Sequence, residues 1–460
     1  MLLKTVSVQV SKLSINSAFL LTIGGFFIGW SQFTHAADLI DLWKIAEVQD
    51  TKYLSAYHKF SSDQEIIELS RADLLPTVSL QIEHKVTDQK INQTDNAVFN
   101  QGVADYPTDS IGLTLNQSLF DYSRWQRFDL SKISVNRAEV EYSLAKQKLL
   151  LRLSESYFLV LERGDQLEAV KVEMTALLKH YGTADNKYKI GLVSKVDVEN
   201  TKARYLNSLS KKVELQSRLM DSRYALRESL GSMPGKLSTL RTDVTIEMPA
   251  PADPGHWVAL AAKNNLELHL LNLSLKEAHK EINITRGGHY PTLDLVYTTG
   301  NTVTEGSVFG GGSDVDTSEI MIQLNVPLYS GGKTSAQLRQ AIAKRYSVLE
   351  ERNDKQRSVE RSAHEAYHRI SEAIVQIDAL EQSLQAQESR LKATTAGHRS
   401  GKNSLIEVLD VEEDLSYAKQ ALIKARYDYV LNILRLKFAV GGLEEQDLAS
   451  INSLLMENTL

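Results

Sequence analysis

The chain has 460 residues, of which 52 are basic and 58 acidic, and it contains no cysteine. With 42% hydrophobic and 24% charged residues it can bury a large core, which excludes a disordered protein or a disulfide scaffold. The missing cysteine also excludes thiolate metal sites and cysteine nucleophiles, and the net charge of −6 gives no support to a nucleic-acid partner. Glycine and proline are scarce, at 24 and 8 residues, which favours long uninterrupted helices.

Residues 1–36 have the pattern of a secretory signal peptide. Two lysines precede an apolar run of 13 residues, Ala18–Trp30, and Thr34-His35-Ala36 resembles a small-residue cleavage site. The alternative, a membrane anchor, fits less well because an apolar helix needs about 20 residues to cross a bilayer. We therefore expect an exported mature chain that begins at Ala37.

The prolines divide the remaining chain into matching halves. They leave residues 110–233 and 328–460 free of proline, and a proline inside a helix costs about 3 kcal/mol. Two long helical blocks are therefore expected. Between them, residues 232–262 form a linker that carries three prolines within six residues.

Short motifs recur at a nearly constant spacing, which indicates a tandem duplication. Gly191 and Ser194 recur 210 residues later as Gly401 and Ser404, and other landmarks recur at offsets of 209 to 215. The predicted segments are the signal peptide (1–36), the first repeat (37–231), the linker (232–262), the second repeat (263–442) and a C-terminal tail (443–460).

Each repeat contains two stretches in which apolar and polar residues alternate. The apolar members are Val78, Leu80, Ile82 and Val86, then Ile111, Leu113, Leu115 and Leu119, and in the second repeat Leu293, Leu295 and Tyr297, then Ile320, Ile322, Leu324, Val326 and Leu328. Each stretch predicts a strand of roughly 10 residues, the length that a tilted strand needs to cross a bilayer. Polar loops are expected between the paired strands, at about residues 88–109 and 300–317.

A long helical segment follows each strand pair. In the first repeat, residues 123–187 predict a helix about 97 Å long and residues 195–231 a return helix of about 55 Å. The shorter return arm leaves a face that the preceding helix, about residues 41–72, has the length to fill by stacking end on end. In the linker, the alternation of Val244, Ile246 and Met248 predicts a short strand.

One motif resembles that of zinc proteases. His364-Glu365-Ala366-Tyr367-His368 matches H-E-x-x-H, which puts two histidines on one face of a helix. No third histidine follows at the spacing of the extended motif, and the repeat-related residues 154–158 read Ser-Glu-Ser-Tyr-Phe. A periplasmic zinc protease is therefore a low alternative, and we assign no metal site.

Several stretches resemble the TolC family of outer-membrane export channels. Besides the signal peptide and the duplicated strand–strand–helix–helix unit, they are Pro327–Gly332, Ala425–Tyr429 and Gly442–Leu448. The resemblance covers essentially the whole mature chain. It implies a membrane α+β fold: a homotrimer in which four transmembrane strands per subunit close a twelve-stranded barrel, continued by a long α-helical coiled-coil tunnel into the periplasm. Open strand edges are not tolerated in lipid, so four strands need oligomerisation to close.

In this family, the helix–helix turns at the periplasmic end form a constricted entrance and the docking tips for an adaptor protein. The resemblance assigns these tips to Gly191, Leu192, Val193 and Ser194 and to Gly401, Lys402, Asn403 and Ser404. It also implies an acidic ring of Asp197, Glu407 and Asp410 at the entrance, a natural cation site when repeated three times. The alternative for these acids is a solvated helix face.

Two residues that hold the family's entrance shut, a tyrosine and an arginine, are replaced in this chain. They appear here as His398 and Asn403. The family's closing contacts therefore do not carry over directly, although Lys402 could substitute for the lost base.

The resemblance implies a passive channel of the bacterial outer membrane and its lipid, with no enzymatic activity and no cofactor. A periplasmic adaptor and an inner-membrane ABC exporter or proton-driven pump would deliver its cargo, most consistent with type I protein secretion. The outer-membrane component of a multidrug efflux pump is the alternative. The missing cysteine rules out the family's lipid-anchored branch. A periplasmic coiled-coil adaptor is a lower alternative, because it would not explain two strand pairs of membrane length.

Overall fold

The computed structural model describes residues 36–93, 102–241, 245–307 and 311–456. The expected signal peptide thus lies outside the described residues, apart from Ala36. None of the helices in these ranges has an apolar stretch of the length that a membrane crossing requires.

The two halves share one order of helices, two strands and a long helical hairpin, with three helices before the strands in the first half and two in the second. The first half contains α1 (Leu39–Gln49), α2 (Thr51–Gln64), α3 (Ile66–Ala72), β1 (Thr77–Ile91), β2 (Gly102–Phe120), α4 (Tyr122–Lys189) and α5 (Lys195–Leu230). After β3 (Thr239–Leu240), the second half contains α6 (Pro254–Asn264), α7 (Leu266–Gly287), β4 (Thr292–Thr304), β5 (Ser313–Asn325), α8 (Lys333–Arg399) and α9 (Leu405–Ala439), followed by α10 (Glu445–Asn452) and β6 (Leu455–Met456). The expected duplication is confirmed.

The four long strands form one antiparallel sheet in the order β1-β2-β4-β5. Its register places Val78 opposite Leu115, Leu115 opposite Tyr297, and Tyr297 opposite Ile320. Because directly opposed residues lie on the same face, the apolar residues of all four strands form one band. Ile320 is 74% exposed, so this face is not covered by the rest of the described chain.

The strands are longer than the apolar alternation predicted, with 15, 19, 13 and 13 residues instead of roughly 10. Much of the expected loops at 88–109 and 300–317 is therefore strand, because the hydrogen-bonded ladder continues through polar pairs such as Asp88 and Asp105. At the other end β5 stops at Asn325, so Val326 and Leu328 lie outside it. Pro327 between them has no N–H to extend the ladder.

The long helices begin and end within two residues of their predicted positions, at Tyr122–Lys189 and Lys195–Leu230. The preceding segment is three consecutive helices instead of one, because the side chain of Asp50 caps α2 by accepting from the N–H of Tyr53 at 2.8 Å. This segment begins beside the end of α5, since Lys52 of α2 pairs with Glu228 of α5 at 2.8 Å, and α2 and α3 then pack on α4, the helix that α5 also contacts. These contacts agree with the expected end-on-end arrangement.

The predicted linker strand is wrong for the residues that are described. Val244 lies outside them, and Ile246 and Met248 pack against the main core without strand geometry. The backbone of Glu247 between them is satisfied by the hydroxyl of Tyr429, at 2.9 Å to its N–H and 2.8 Å to its carbonyl. The linker strand is β3, which pairs with β6 near the C-terminus.

The main core lies where the middles of α4 and α8 and the C-terminal half of α9 meet α1 and α6. Its fully buried side chains include Tyr157, Phe158, Ile370 and Leu434. From this core the two hairpins, α4–α5 and α8–α9, extend to the turns that end them.

Candidate functional site at the helical hairpin turns

The turn of the first hairpin reverses the chain between α4 and α5 within five residues. Gly191 has a φ of +76°, a conformation that favours glycine. The N–H of Leu192 then donates to the carbonyl of Lys187 at 2.8 Å, which satisfies one of the free carbonyls at the end of the helix. Ser194 begins α5 as its N-cap.

The turn of the second hairpin uses the same devices. Gly401 has a φ of +79°, and the N–H of Lys402 donates to the carbonyl of Gly397 at 2.8 Å. Ser404 is the N-cap of α9 and accepts from the N–H of Glu407 at 3.2 Å. The eight residues assigned as tips therefore do form two matching turns at the ends of the hairpins.

The surfaces of the two turns differ in chemistry. Ile190, Leu192 and Val196 of the first turn are 70%, 69% and 66% exposed. At the second turn Ser400 and Lys402 replace Ile190 and Leu192, and Ile406, the counterpart of Val196, is 37% exposed. Clustered exposed apolar side chains commonly mark an interaction site, so the first turn offers a partner a more apolar surface than the second.

Asp197 and Glu407 both lie in the first turn of the helix that follows a tip. The side chain of Asp197 accepts from the backbone N–H of Ser194 at 3.2 Å and from its hydroxyl at 2.8 Å, forming a capping box. Glu407 accepts from the side-chain amide of Asn403 at 2.5 Å. Negative charge is favourable at a helix N-terminus, so both acids also stabilise the fold.

Asp410 lies one turn further along α9 and forms an ion pair with Arg204 of α5. The same guanidinium binds Glu413 at 2.9 Å. Arg204 therefore joins the first hairpin to the second. Sequence reasoning missed this residue, because nothing in the pattern around it points to partners more than 200 positions away.

A second polar contact joins the hairpins further from the turns. His180 on α4 lies 3.0 Å from Glu412 on α9, and the other carboxylate oxygen of Glu412 is buried without a hydrogen-bond partner in the described chain. Nearby, the hydroxyl of Ser416 donates to Glu173. The negative charge of Glu413 raises the pKa of Tyr417. We call the contacts of Arg204 and His180 with α9 the inter-hairpin seam.

The residues that replace the family's closing contacts stay within their own turn. Nδ1 of His398 is 3.0 Å from the carbonyl oxygen of Asn403, to which it donates. Asn403 in turn donates to Glu407. These bonds do not link the second hairpin to the first, whereas the ion pairs of Arg204 do.

The acids of the turns do not form a metal centre within one chain. Among the described residues, no group of three or more His, Asp or Glu side chains is arranged to hold a metal ion. His364 and His368 of the H-E-x-x-H motif lie elsewhere, near the middle of α8.

The chain belongs to the outer membrane efflux protein family, whose model matches residues 45–232 and 257–442. It is 29% identical to the outer membrane protein TolC of Vibrio cholerae, over 91% of this chain and 94% of that protein. It is 27% identical to the proteases secretion protein PrtF of Dickeya chrysanthemi, over 94% of both chains. Its fold matches the Campylobacter jejuni CmeC outer membrane channel with a TM-score of 0.78 and 16% identity, over 91% and 90% of the two chains.

The resemblance to the TolC family is thereby confirmed. The two matched ranges fall on the two structural halves. The protein is an outer-membrane export channel with a helical tunnel that extends into the periplasm, and it belongs to a family of passive channels, not of enzymes.

Proposed function

We propose that three copies of this chain form one exit channel, in which four strands per subunit close a twelve-stranded barrel. The observation that carries this proposal is the sheet. In the described chain β1 and β5 each pair along one edge only, and all four strands present one apolar face. Unpaired edges are costly in lipid, and pairing β5 of one copy with β1 of the next satisfies both. Cross-linking of detergent-solubilised protein tests the number of subunits, and a product other than a trimer would contradict it.

The proposed cargo is protein delivered by a type I secretion system. The relative from Dickeya chrysanthemi is named for protease secretion, and it matches along nearly its whole length. The alternative is drug export, which the description of the family as efflux proteins favours. The proposed partners are a periplasmic adaptor and an inner-membrane ABC exporter.

A complementation experiment separates the two cargoes. The chain is produced in cells that lack their own channel and carry the adaptor and ABC exporter of a protease-secretion system. Secretion of the protease into the medium is expected, without restored resistance to drugs. The reverse result would favour the efflux alternative.

The acidic side chains Asp197, Glu407 and Asp410 are proposed to surround the periplasmic entrance. Three copies would concentrate negative charge at the narrow end, which attracts cations. Asp197→Asn is a clean test because the amide oxygen of asparagine can still accept from the N–H of Ser194, so the charge is lost while the acceptor of the capping box is kept. In planar bilayers, block by divalent cations is expected to weaken.

Glu168→Gln on α4 is the matched control for this measurement. Glu168 is an exposed acid paired with Lys171, and it lies 21 residues before the end of α4, which is about 31 Å of helix. Its neutralisation is expected to leave cation block unchanged. Equal effects of the two variants would remove Asp197 from the entrance.

The two turns are proposed as docking tips for the adaptor, with Leu192 as the apolar contact and Lys402 as the polar one. Leu192→Glu puts a charge into the apolar surface and is expected to reduce recovery of the adaptor with the channel. Val172→Glu, at a similarly exposed valine on α4, is the control. Adaptor recovery equal in both variants would argue against docking at the first turn.

A further inference from the structure

His364 and His368 lie one turn apart on the side of α8 that faces away from its own core. Their Nε2 atoms are 3.2 Å apart and their ring centroids 4.3 Å. Both side chains are exposed, while Ala363 and Ile370 on the other side of the same turns are fully buried. The buried residues hold this part of the helix in place, so the backbone that carries the two imidazoles is rigid.

The separation of the two nitrogens suits a single metal ion bound by both. Zinc binds imidazole nitrogen at about 2.0–2.1 Å, so two nitrogens 3.2 Å apart subtend an angle of about 100° at the metal. That angle lies between the octahedral and tetrahedral values. Neutral imidazole is a good ligand for zinc, copper and nickel.

The first repeat uses the equivalent positions differently. Ser154 and Phe158 occupy them, both fully buried, and Phe158 contacts the ring of Tyr427. The two histidines therefore have no counterpart in the duplicated unit. They also take no part in the core, so their placement is not explained by packing.

We propose that His364 and His368 chelate one divalent transition-metal cation of the Zn²⁺ or Cu²⁺ type, through both Nε2 atoms, with water in the remaining positions. Both imidazoles would then carry their proton on Nδ1. The site binds metal without hydrolytic chemistry, because Glu365 is directed to Arg361 at 3.8 Å and the described chain offers no third protein ligand. It lies 32 residues before the turn at Ser400, which is about 48 Å of helix, so it is separate from the proposed entrance.

The test is a titration of the full detergent-solubilised chain with Zn²⁺ alone, followed by electron paramagnetic resonance with Cu²⁺. One site per chain and a Cu²⁺ spectrum with two nitrogen ligands are expected. His364→Gln or His368→Gln removes one arm of the chelate, and binding at this site is expected to weaken roughly 100-fold. A double variant that binds Zn²⁺ as tightly as the wild type would overturn the proposal.

Two further variants keep the same number of histidines as the wild type and change only their spacing. They separate chelation by the pair from weak metal binding to single histidines. His364→Gln with Glu372→His places a pair at positions 368 and 372, again one turn apart, and Glu372 is exposed. His368→Gln with Glu372→His places the histidines two turns apart, at 364 and 372. The first variant is expected to keep wild-type affinity and the second to lose it. Equal affinities in the two variants would refute chelation.

Discussion

Replacing Arg204 with glutamine is expected to make the channel open more readily. Arg204 on α5 binds two carboxylates of α9, those of Asp410 and Glu413, and so ties the first hairpin to the second near their turns. In the proposed arrangement, in which these turns form the entrance, widening it requires the hairpins to move apart. We expect this movement to break the guanidinium contacts, so that their loss favours the open state.

The expected magnitude follows from the exposure of the groups. The side chain of Arg204 is 25% exposed and its two partners about half exposed, so each ion pair contributes about 0.5 kcal/mol. One subunit then contributes about 1 kcal/mol, and the three subunits of the proposed trimer, opening together, contribute about 3 kcal/mol. Since 1.4 kcal/mol is a factor of ten, the ratio of open to closed channels is expected to rise about 100-fold.

Single-channel recording in planar bilayers measures this ratio directly. Arg218→Gln is the matched control, because Arg218 lies on the same helix and pairs with Glu214 one turn away within that helix. Its loss breaks an ion pair without separating the hairpins. If Arg204→Gln and Arg218→Gln show the same open probability, the seam does not hold the entrance closed.

Two further predictions concern stability, measured by urea unfolding of the detergent-solubilised protein. Gly441 has a φ of +72°, and Gly441→Ala places a Cβ against the carbonyl oxygen of Asn264, so the substitution is expected to cost about 3 kcal/mol or more of unfolding free energy. Gly401 also has a positive φ but faces open space, so Gly401→Ala should cost about 1 kcal/mol. Burial raises the pKa of the Asp165 carboxyl, even though the hydroxyl of Tyr427 donates to it at 2.6 Å. The contribution of this carboxyl to stability is therefore present below the ordinary aspartate pKa and is lost as the pH rises through the raised pKa. Relative to Asp165→Asn, the wild type should therefore gain stability on acidification, and a pH-independent difference would contradict this.

The sheet shows which parts of a strand can be predicted from the alternation of apolar and polar residues. It located all four strands, because one face of each is apolar. It missed their far ends, where polar residues such as Asp88 and Asp105 continue the ladder through backbone hydrogen bonds that do not depend on side-chain polarity. Pairing of β3 with the distant β6 gave no local signal at all.

The turns were predictable because they rest on local chemistry. A glycine followed three residues later by a serine marks both reversals, at Gly191 and Ser194 and again 210 residues later. What the side chains of neighbouring helices contact was not predictable in this way. Arg204 depends on the lateral packing of α4, α5 and α9, and its partners lie in the other repeat.

Comparison of the two repeats explains how the inter-hairpin seam arises. The position equivalent to Arg204 in the second repeat is Asp414, which pairs with Arg390 of its own hairpin at 2.8 Å. In the first repeat the charge at this position is reversed, and the acids within reach of an arginine are Asp410 and Glu413 on α9. An ion pair that closes one hairpin in the second repeat is thus replaced in the first by one that links two hairpins. The duplication supplies the common helical framework, and a reversal of charge at one position adds an ion-pair link between its two halves.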